Sequence, residues 1–289
     1  MKTILNQIIT IVFSVVLFCL IMIILISNFF TVETMQKNFQ NIDVVHEIKK
    51  IQNSTTAGTS AEVADLIDTA YTEAENHGID KELVNTIFND KETKNFLGLL
   101  VGTTTDYVIN GKKEDIPTSE DFNKLLDDNI DRWIKESGIS ISDTKKEVLL
   151  IRMKSMSSGI IDNIPNYNTV KNTVNNNVLT TIKLIFSENI KIALSILTIT
   201  LIIILYLINR KNKSTLKYIG NTLFITSVLM LIVSFSLEDV VAYVLSGYNL
   251  TSLINSFVNL MMQKVIIIAI ILFIIGLICR IIYSHKQKI

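Results

Sequence analysis

Four stretches of this sequence are rich in Ile, Leu, Val and Phe and contain almost no charged residue. They cover residues 8–30, 189–209, 218–237 and 265–283. A helix needs about 20 apolar residues to cross a hydrocarbon core of about 30 Å, and each stretch is long enough. The sequence therefore predicts an all-α, polytopic membrane protein with four transmembrane helices. Arg280, in the last turn of the fourth stretch, does not exclude a span because its side chain can reach the interface.

The first apolar stretch could be a cleaved signal peptide or a retained anchor. It is longer than the 7–15 residues typical of a signal-peptide core, and no small-x-small cleavage site follows it. We interpret it as a retained signal anchor.

The charges are sorted along the chain, although the totals cancel at 27 Lys and Arg against 27 Asp and Glu. Residues 31–188 hold 17 basic and 25 acidic side chains. Such an excess of acid argues against nucleic acid as a partner, which would need a basic face.

The short segments at residues 1–7, 210–217 and 284–289, taken with Arg280, carry basic residues and no acidic one. The positive-inside rule then predicts that both termini are cytoplasmic and that residues 31–188 lie outside the membrane. Besides Lys2, the residues that set this orientation are Arg210, Lys211, Lys213, Lys217, Arg280, Lys286 and Lys288.

Residues 238–264 are expected to form an outer loop that contains an amphipathic helix. Five apolar residues make one stripe opposite several Ser and Asn side chains, which is typical of a helix lying on a membrane surface. A re-entrant segment lining a pore is the alternative. The stripe consists of Leu250, Leu253, Ile254, Phe257 and Met261.

Residues 31–188 show helical rather than alternating periodicity, so we expect an extracytoplasmic domain of helices. The first span is expected to run on as a helix, because apolar residues continue at helical spacing after it. They are Val32, Met35, Phe39, Ile42, Val45 and Ile48. The last helix of the domain is expected to lead into the second span. Asp80 and Asp90 are expected N-caps, and Pro117-Thr118-Ser119-Glu120-Asp121 is a strong helix start. Gly98 and Gly102 indicate tight packing or a helix break.

The segment NIDRWIKESGISISD, residues 129–143, resembles a run in uncharacterised four-span membrane proteins of low-GC Gram-positive bacteria. In those proteins a signal anchor precedes a helical outer domain. The resemblance covers about 15 residues and the topology. It implies a location in a bacterial cytoplasmic membrane and a multi-pass architecture, and no function comes with it.

Few residues of this sequence suggest a catalytic or metal-binding site. Cys19 and Cys279 fall within spans, and no histidine pair has the spacing of metal ligands. Asp127, Asp128 and Asp131 lie within about one helical turn and could bind a cation such as Ca²⁺, although a solvated helix face explains them better. We expect no enzyme activity and no cofactor.

The third apolar stretch is the most polar of the four. Its Ser, Thr and Asn side chains could line a pore, but hydrogen bonds between helices are the better explanation. The residues are Asn221, Thr222, Thr226, Ser227, Ser234 and Ser236.

Three functions stay open at this point. The first is a non-enzymatic envelope protein whose acidic outer domain binds protein or envelope components, or another copy of itself. The second is an oligomeric channel or a permease subunit, since FtsX-type permeases share the order of one span, a large outer domain and three spans. The third is an extracytoplasmic ligand sensor that acts through a cytoplasmic partner.

Overall fold

The structure, a computed structural model, describes residues 2–46, 70–161, 176–210, 214–245 and 251–286. The described residues are largely helical, with no strand among them, which confirms the all-α class for this part of the chain. Residues 70–76 form one helical segment beside the longer helices. The longer helices are α1 (Lys2–Phe29), α2 (Val32–Gln40), α3 (Lys81–Asn89), α4 (Lys91–Asn110), α5 (Ser119–Glu136), α6 (Asp143–Ile161), α7 (Asn176–Ile185), α8 (Glu188–Asn209), α9 (Thr215–Leu245) and α10 (Thr251–Lys286).

Four helical segments are long and apolar enough to cross a membrane, as the sequence predicts. They are Lys2–Phe29, Glu188–Asn209, Thr215–Phe235 and Val258–His285. Many of their Ile and Leu side chains are exposed, which would be costly in water but is what a lipid-facing surface requires. These features fit a multi-pass membrane protein.

The stretch predicted as a surface helix and the fourth apolar stretch belong to one continuous helix, α10. Met261 is buried, and so are Val258 and Val265, which lie on the same face at helical spacing. Leu250 lies outside the described residues, and so do the side chains of Leu253, Ile254 and Phe257. Contact of this stretch with a membrane surface stays a prediction.

The first span does not run on through Met35 and Phe39, which corrects the sequence expectation: α1 ends at Phe29 and a separate helix begins at Val32. Thr31 has an extended backbone, with φ −77° and ψ 151°, and its side chain accepts a hydrogen bond of 3.3 Å from the Thr34 amide. A side-chain cap of this kind satisfies an N–H group at the start of a new helix. Ser187 separates α7 from α8 in the same way, by accepting from the Ile190 amide. Apolar periodicity alone does not reveal such breaks.

The chain divides into two compact units. The first, here called the apolar unit, comprises residues 1–28, 181–240 and 258–289. The second, here called the acidic unit, comprises residues 29–180 and 241–257.

The acidic unit has its own apolar core. Helices α2 to α6 each contribute buried side chains, and the rings of Phe96 and Phe122 pack with their centroids 5.2 Å apart. A core of this kind stabilises the unit by removing apolar surface from water. Among the residues that the structure describes, the largest fully buried side chains are Trp133, Phe39, Phe88, Phe122, Met35, Leu83, Ile87, Leu100 and Leu126.

Helix α4 packs closely on α2 through its two glycines. A Cβ atom at Gly98 would lie 2.6 Å from the Gln36 Cα, and one at Gly102 would lie 2.8 Å from the Val32 Cα. Neither distance is compatible with a real side chain. Of the two sequence interpretations, tight packing is therefore the one observed, since α4 continues as a helix through both residues.

The predicted helix starts in the acidic unit are also observed. Asp80 and Asp90 accept hydrogen bonds from the amides of Glu82 and Glu92. Thr118 and Asp121 form a reciprocal capping box at the start of α5, in which each side chain bonds the other residue's backbone N–H.

Candidate functional site

The three predicted cation-binding carboxylates lie on α5, and two of them contact lysines of the neighbouring helix α6. Lys154 donates a hydrogen bond of 2.6 Å to Asp127, and Lys146 donates one of 2.6 Å to Asp131. This hydrogen bond to Asp131 raises the pKa of the Lys146 ammonium. Asp128 is exposed. A cation bound here would have to compete with both lysines, and the cation site itself stays a prediction.

Across the residues that the structure describes, no three His, Cys, Asp or Glu side chains come together as a group that could hold a metal ion. Two of the predicted ligands instead join α5 to α6 by ion pairs. Both pairs lie at the surface, where such contacts contribute about 1 kcal/mol or less.

Arg132, on α5, joins several charged and polar groups of the acidic unit. Its two terminal nitrogens donate to the two oxygens of Asp90, at 2.8 and 3.1 Å. It also bonds Asn129 and Glu136 of its own helix. Because Asp90 caps α4, this Arg132 network fixes α5 to the start of α4.

The pKa of Asp90 follows from two opposed effects. Burial, with only 7% of the side chain exposed, would raise this pKa. The hydrogen bonds from Arg132 and the Glu92 amide outweigh burial and hold the pKa below its ordinary value. Asp90 is therefore a carboxylate in the folded protein at neutral pH.

In the apolar unit, polar contacts join helices far apart in sequence. Asn6 of α1 and Asn209 of α8 exchange two amide hydrogen bonds, each 3.0 Å long. Asn209 also donates to the Leu205 carbonyl and accepts from Ser214. The Asn209 amide group is thus fully bonded although it is buried, as a polar group in an apolar environment must be.

Helices α1 and α9 meet along a row of hydroxyl groups. Ser14 donates to the Thr222 carbonyl at 3.3 Å, and Thr226 donates to the Ser14 carbonyl at 3.2 Å. All three side chains are buried, together with Ser227 and Ser234. These contacts favour the interpretation that the polar residues of the third apolar stretch hold helices together rather than line a pore.

Lys191 lies at one end of a groove between α1 and α8. The Lys191 ammonium donates to the Ser27 hydroxyl at 2.7 Å and to Glu188 at 2.8 Å. The groove has a volume of about 410 Å³, and four of its eight lining residues are isoleucines. Its lining residues are Ile24, Asn28, Glu188, Lys191, Ile192, Ser195, Ile196 and Ile199.

The residues that predict orientation are described only in part. Arg210, Lys217 and Arg280 are exposed, and the Arg280 side chain donates to Asn221 at 2.8 Å and lies 5.3 Å from the Phe224 ring centre. Lys211, Lys213 and Lys288 lie outside the described residues, and so does the side chain of Lys286. The side of the membrane on which they lie stays a prediction.

No protein family model, curated protein or solved structure matches this chain.

Sequence reasoning missed two polar groups of the apolar unit, Asn6 with Asn209 and Lys191 with Ser27. The first has a sequence signal, because Asn6, Thr10 and Ser14 recur every four residues within an apolar run and therefore share one helix face. The second has no local signal, since Ser27 and Lys191 are 164 positions apart.

Proposed function

We propose that this chain is a non-enzymatic membrane protein of the bacterial cell envelope. In this proposal both termini are cytoplasmic, residues 31–188 lie outside, and the acidic helical domain binds another protein, an envelope component or a second copy. The observation that carries the proposal is a packed, acidic helical unit whose sequence is inserted between apolar helices that fit a membrane.

The surface of the acidic unit supports a binding role. Glu114, Asp115, Glu120 and Asp128 are all exposed. Carboxylates of this kind attract a basic protein surface and accelerate its association. The buried core meanwhile keeps the helices fixed, so that such a surface has a stable shape.

Orientation can be tested with a membrane-impermeant maleimide on intact cells. The starting chain carries Cys19→Ser and Cys279→Ser, and one new cysteine is placed at Ser140 or Ser284, which are both exposed. We expect Ser140→Cys to react in intact cells and Ser284→Cys to react only after permeabilisation. Labelling of Ser284→Cys alone in intact cells would overturn the proposed topology.

Binding can be tested by cross-linking on cells that carry the full-length protein. Reversing Glu114, Asp115, Glu120 and Asp128 to Lys should remove cross-linked partners. Lys124→Glu with Lys135→Glu is the control, because it makes α5, which carries Glu120 and Asp128, more acidic. The control should keep those partners or increase their yield. If a chain without residues 31–188 retains every partner of the full-length protein, the binding role is wrong.

A further inference from the structure

The groove between α1 and α8 has the composition of a lipid site. On α8 its residues recur at positions 188, 191, 192, 195, 196 and 199, which place them on one face of the helix. Ile24 and Asn28 of α1 form the opposite wall. The isoleucines that line it are exposed, so an apolar chain can lie against them.

The length of the groove matches one half of a bilayer. From Lys191 to Ile199 the helix rises roughly 12 Å, at 1.5 Å per residue. Half of a hydrocarbon core is about 15 Å. An acyl chain in the groove would therefore lie beside the isoleucines while its headgroup stays at the level of Lys191.

Lys191 supplies the charge that selects the headgroup. Its side chain is only 15% exposed, whereas that of its partner Glu188 is 79% exposed. Within the described part of the chain the ammonium meets two acceptors, Ser27 and Glu188. An ammonium has three N–H donors, so one donor is left for an acceptor from another molecule.

We propose that this groove binds one anionic phospholipid, with an acyl chain along the isoleucine wall and the phosphate on Lys191. The phosphate oxygen accepts from the third N–H of the ammonium. The exposed Glu188 carboxylate lies away from the phosphate. This site belongs to the apolar unit alone, and it goes beyond the binding role proposed for the acidic domain.

The test is native mass spectrometry of the full-length protein released from mixed micelles that contain equal amounts of phosphatidylglycerol and phosphatidylcholine. The wild-type chain should retain phosphatidylglycerol at least about fivefold over phosphatidylcholine. Lys191→Gln should abolish that preference, and Lys191→Arg should keep it. Lys264→Gln, which removes another lysine at the start of an apolar segment, is the matched control and should also keep it.

A second variant separates lipid selection from folding. Glu188→Gln removes the negative charge that competes with the phosphate, so it should increase phosphatidylglycerol retention above that of the wild type. Equal retention of both lipids by the wild-type protein would overturn the proposal. An equal loss of preference in Lys191→Gln and Lys264→Gln would overturn it too, because it would assign selection to overall charge.

Discussion

Asn6 and Asn209, 203 positions apart in the chain, close a pair of reciprocal amide hydrogen bonds inside the apolar unit. The pair joins the start of α1 to the end of α8. Each residue is at most 2% exposed. If one amide is removed, the polar atoms of the other stay buried without a hydrogen-bond partner. This lowers the unfolding free energy more than the loss of an exposed hydrogen bond does.

Replacing either asparagine of this pair by leucine should destabilise the apolar unit. We expect Asn209→Leu to cost more than Asn6→Leu, because Asn209 also bonds Leu205 and Ser214. A double-mutant cycle measured by unfolding in detergent should give a coupling of about 0.6–1.7 kcal/mol. Thr200→Val is the control, since Thr200 is exposed and bonds the Ile196 carbonyl of its own helix. Additive effects of the two leucine variants would contradict the pair.

The Arg132 network predicts that charge alone does not replace a bidentate contact. Arg132→Gln should lower the unfolding free energy of the acidic unit by about 1–2 kcal/mol. This loss lies between the contributions expected of an exposed and of a buried ion pair, because 39% of the Arg132 side chain is exposed. Arg132→Lys should recover less than half of that loss, because an ammonium cannot match two carboxylate oxygens.

Trp133 makes this measurement possible in the full-length protein. It is the only tryptophan in the chain and is fully buried, so its emission reports unfolding of the acidic unit. Lys135→Gln, an exposed change on the same helix, should leave the unfolding free energy within about 0.5 kcal/mol of the wild type. An unfolding free energy of Arg132→Gln equal to that of this control would show that the network does not stabilise the unit.

The apolar runs and caps could be predicted from sequence because their signals are local. A long charge-free stretch has few alternatives to a membrane helix, and Asp90 or Thr118 caps the helix that directly follows it. The break at Thr31 could not be predicted in this way, because apolar residues continue at helical spacing on both sides of it.

The candidate sites depended on contacts between distant segments, which periodicity does not supply. The cluster of Asp127, Asp128 and Asp131 is visible in sequence, but its lysine partners on α6 are 15 and 27 positions away. The groove at Lys191 requires α1 and α8 side by side. In the sequence alone, a lysine at the edge of an apolar stretch indicates only where a membrane span ends.

The glycine contacts between α4 and α2 predict a steric effect of adding one methyl group. Gly98→Ala and Gly102→Ala should each destabilise the acidic unit by about 1–3 kcal/mol, because a Cβ would meet backbone atoms that cannot rotate away. Gly138→Ala is the comparison: it has a positive φ of 70° but no atom within 4 Å of the added Cβ. It should cost about 1 kcal/mol from backbone strain alone. The measurement is urea unfolding followed by Trp133 emission. An unfolding free energy of Gly98→Ala equal to that of the wild type would contradict the prediction.

The lowered pKa of Asp90 predicts how stability depends on pH. Burial opposes the charged form, but the bonds from Arg132 and the Glu92 amide lower this pKa in the folded protein. In the unfolded chain an aspartate titrates near 3.9, so the contribution of Asp90 is complete above that pH. As pH falls further the unfolded chain takes up a proton first, and the contribution is lost as the folded pKa is passed.

The measurement is the difference in unfolding free energy between the wild type and Asp90→Asn, followed by Trp133 emission in urea at several pH values. The difference should be constant from about pH 8 to pH 5 and should shrink below about pH 4. Asp128→Asn is the matched control, because Asp128 is exposed and has no hydrogen-bond or ion-pair partner within the described ranges. A difference for Asp90→Asn that grows as the pH falls would mean that its pKa is raised rather than lowered, and the Arg132 network would then not be what governs this carboxylate.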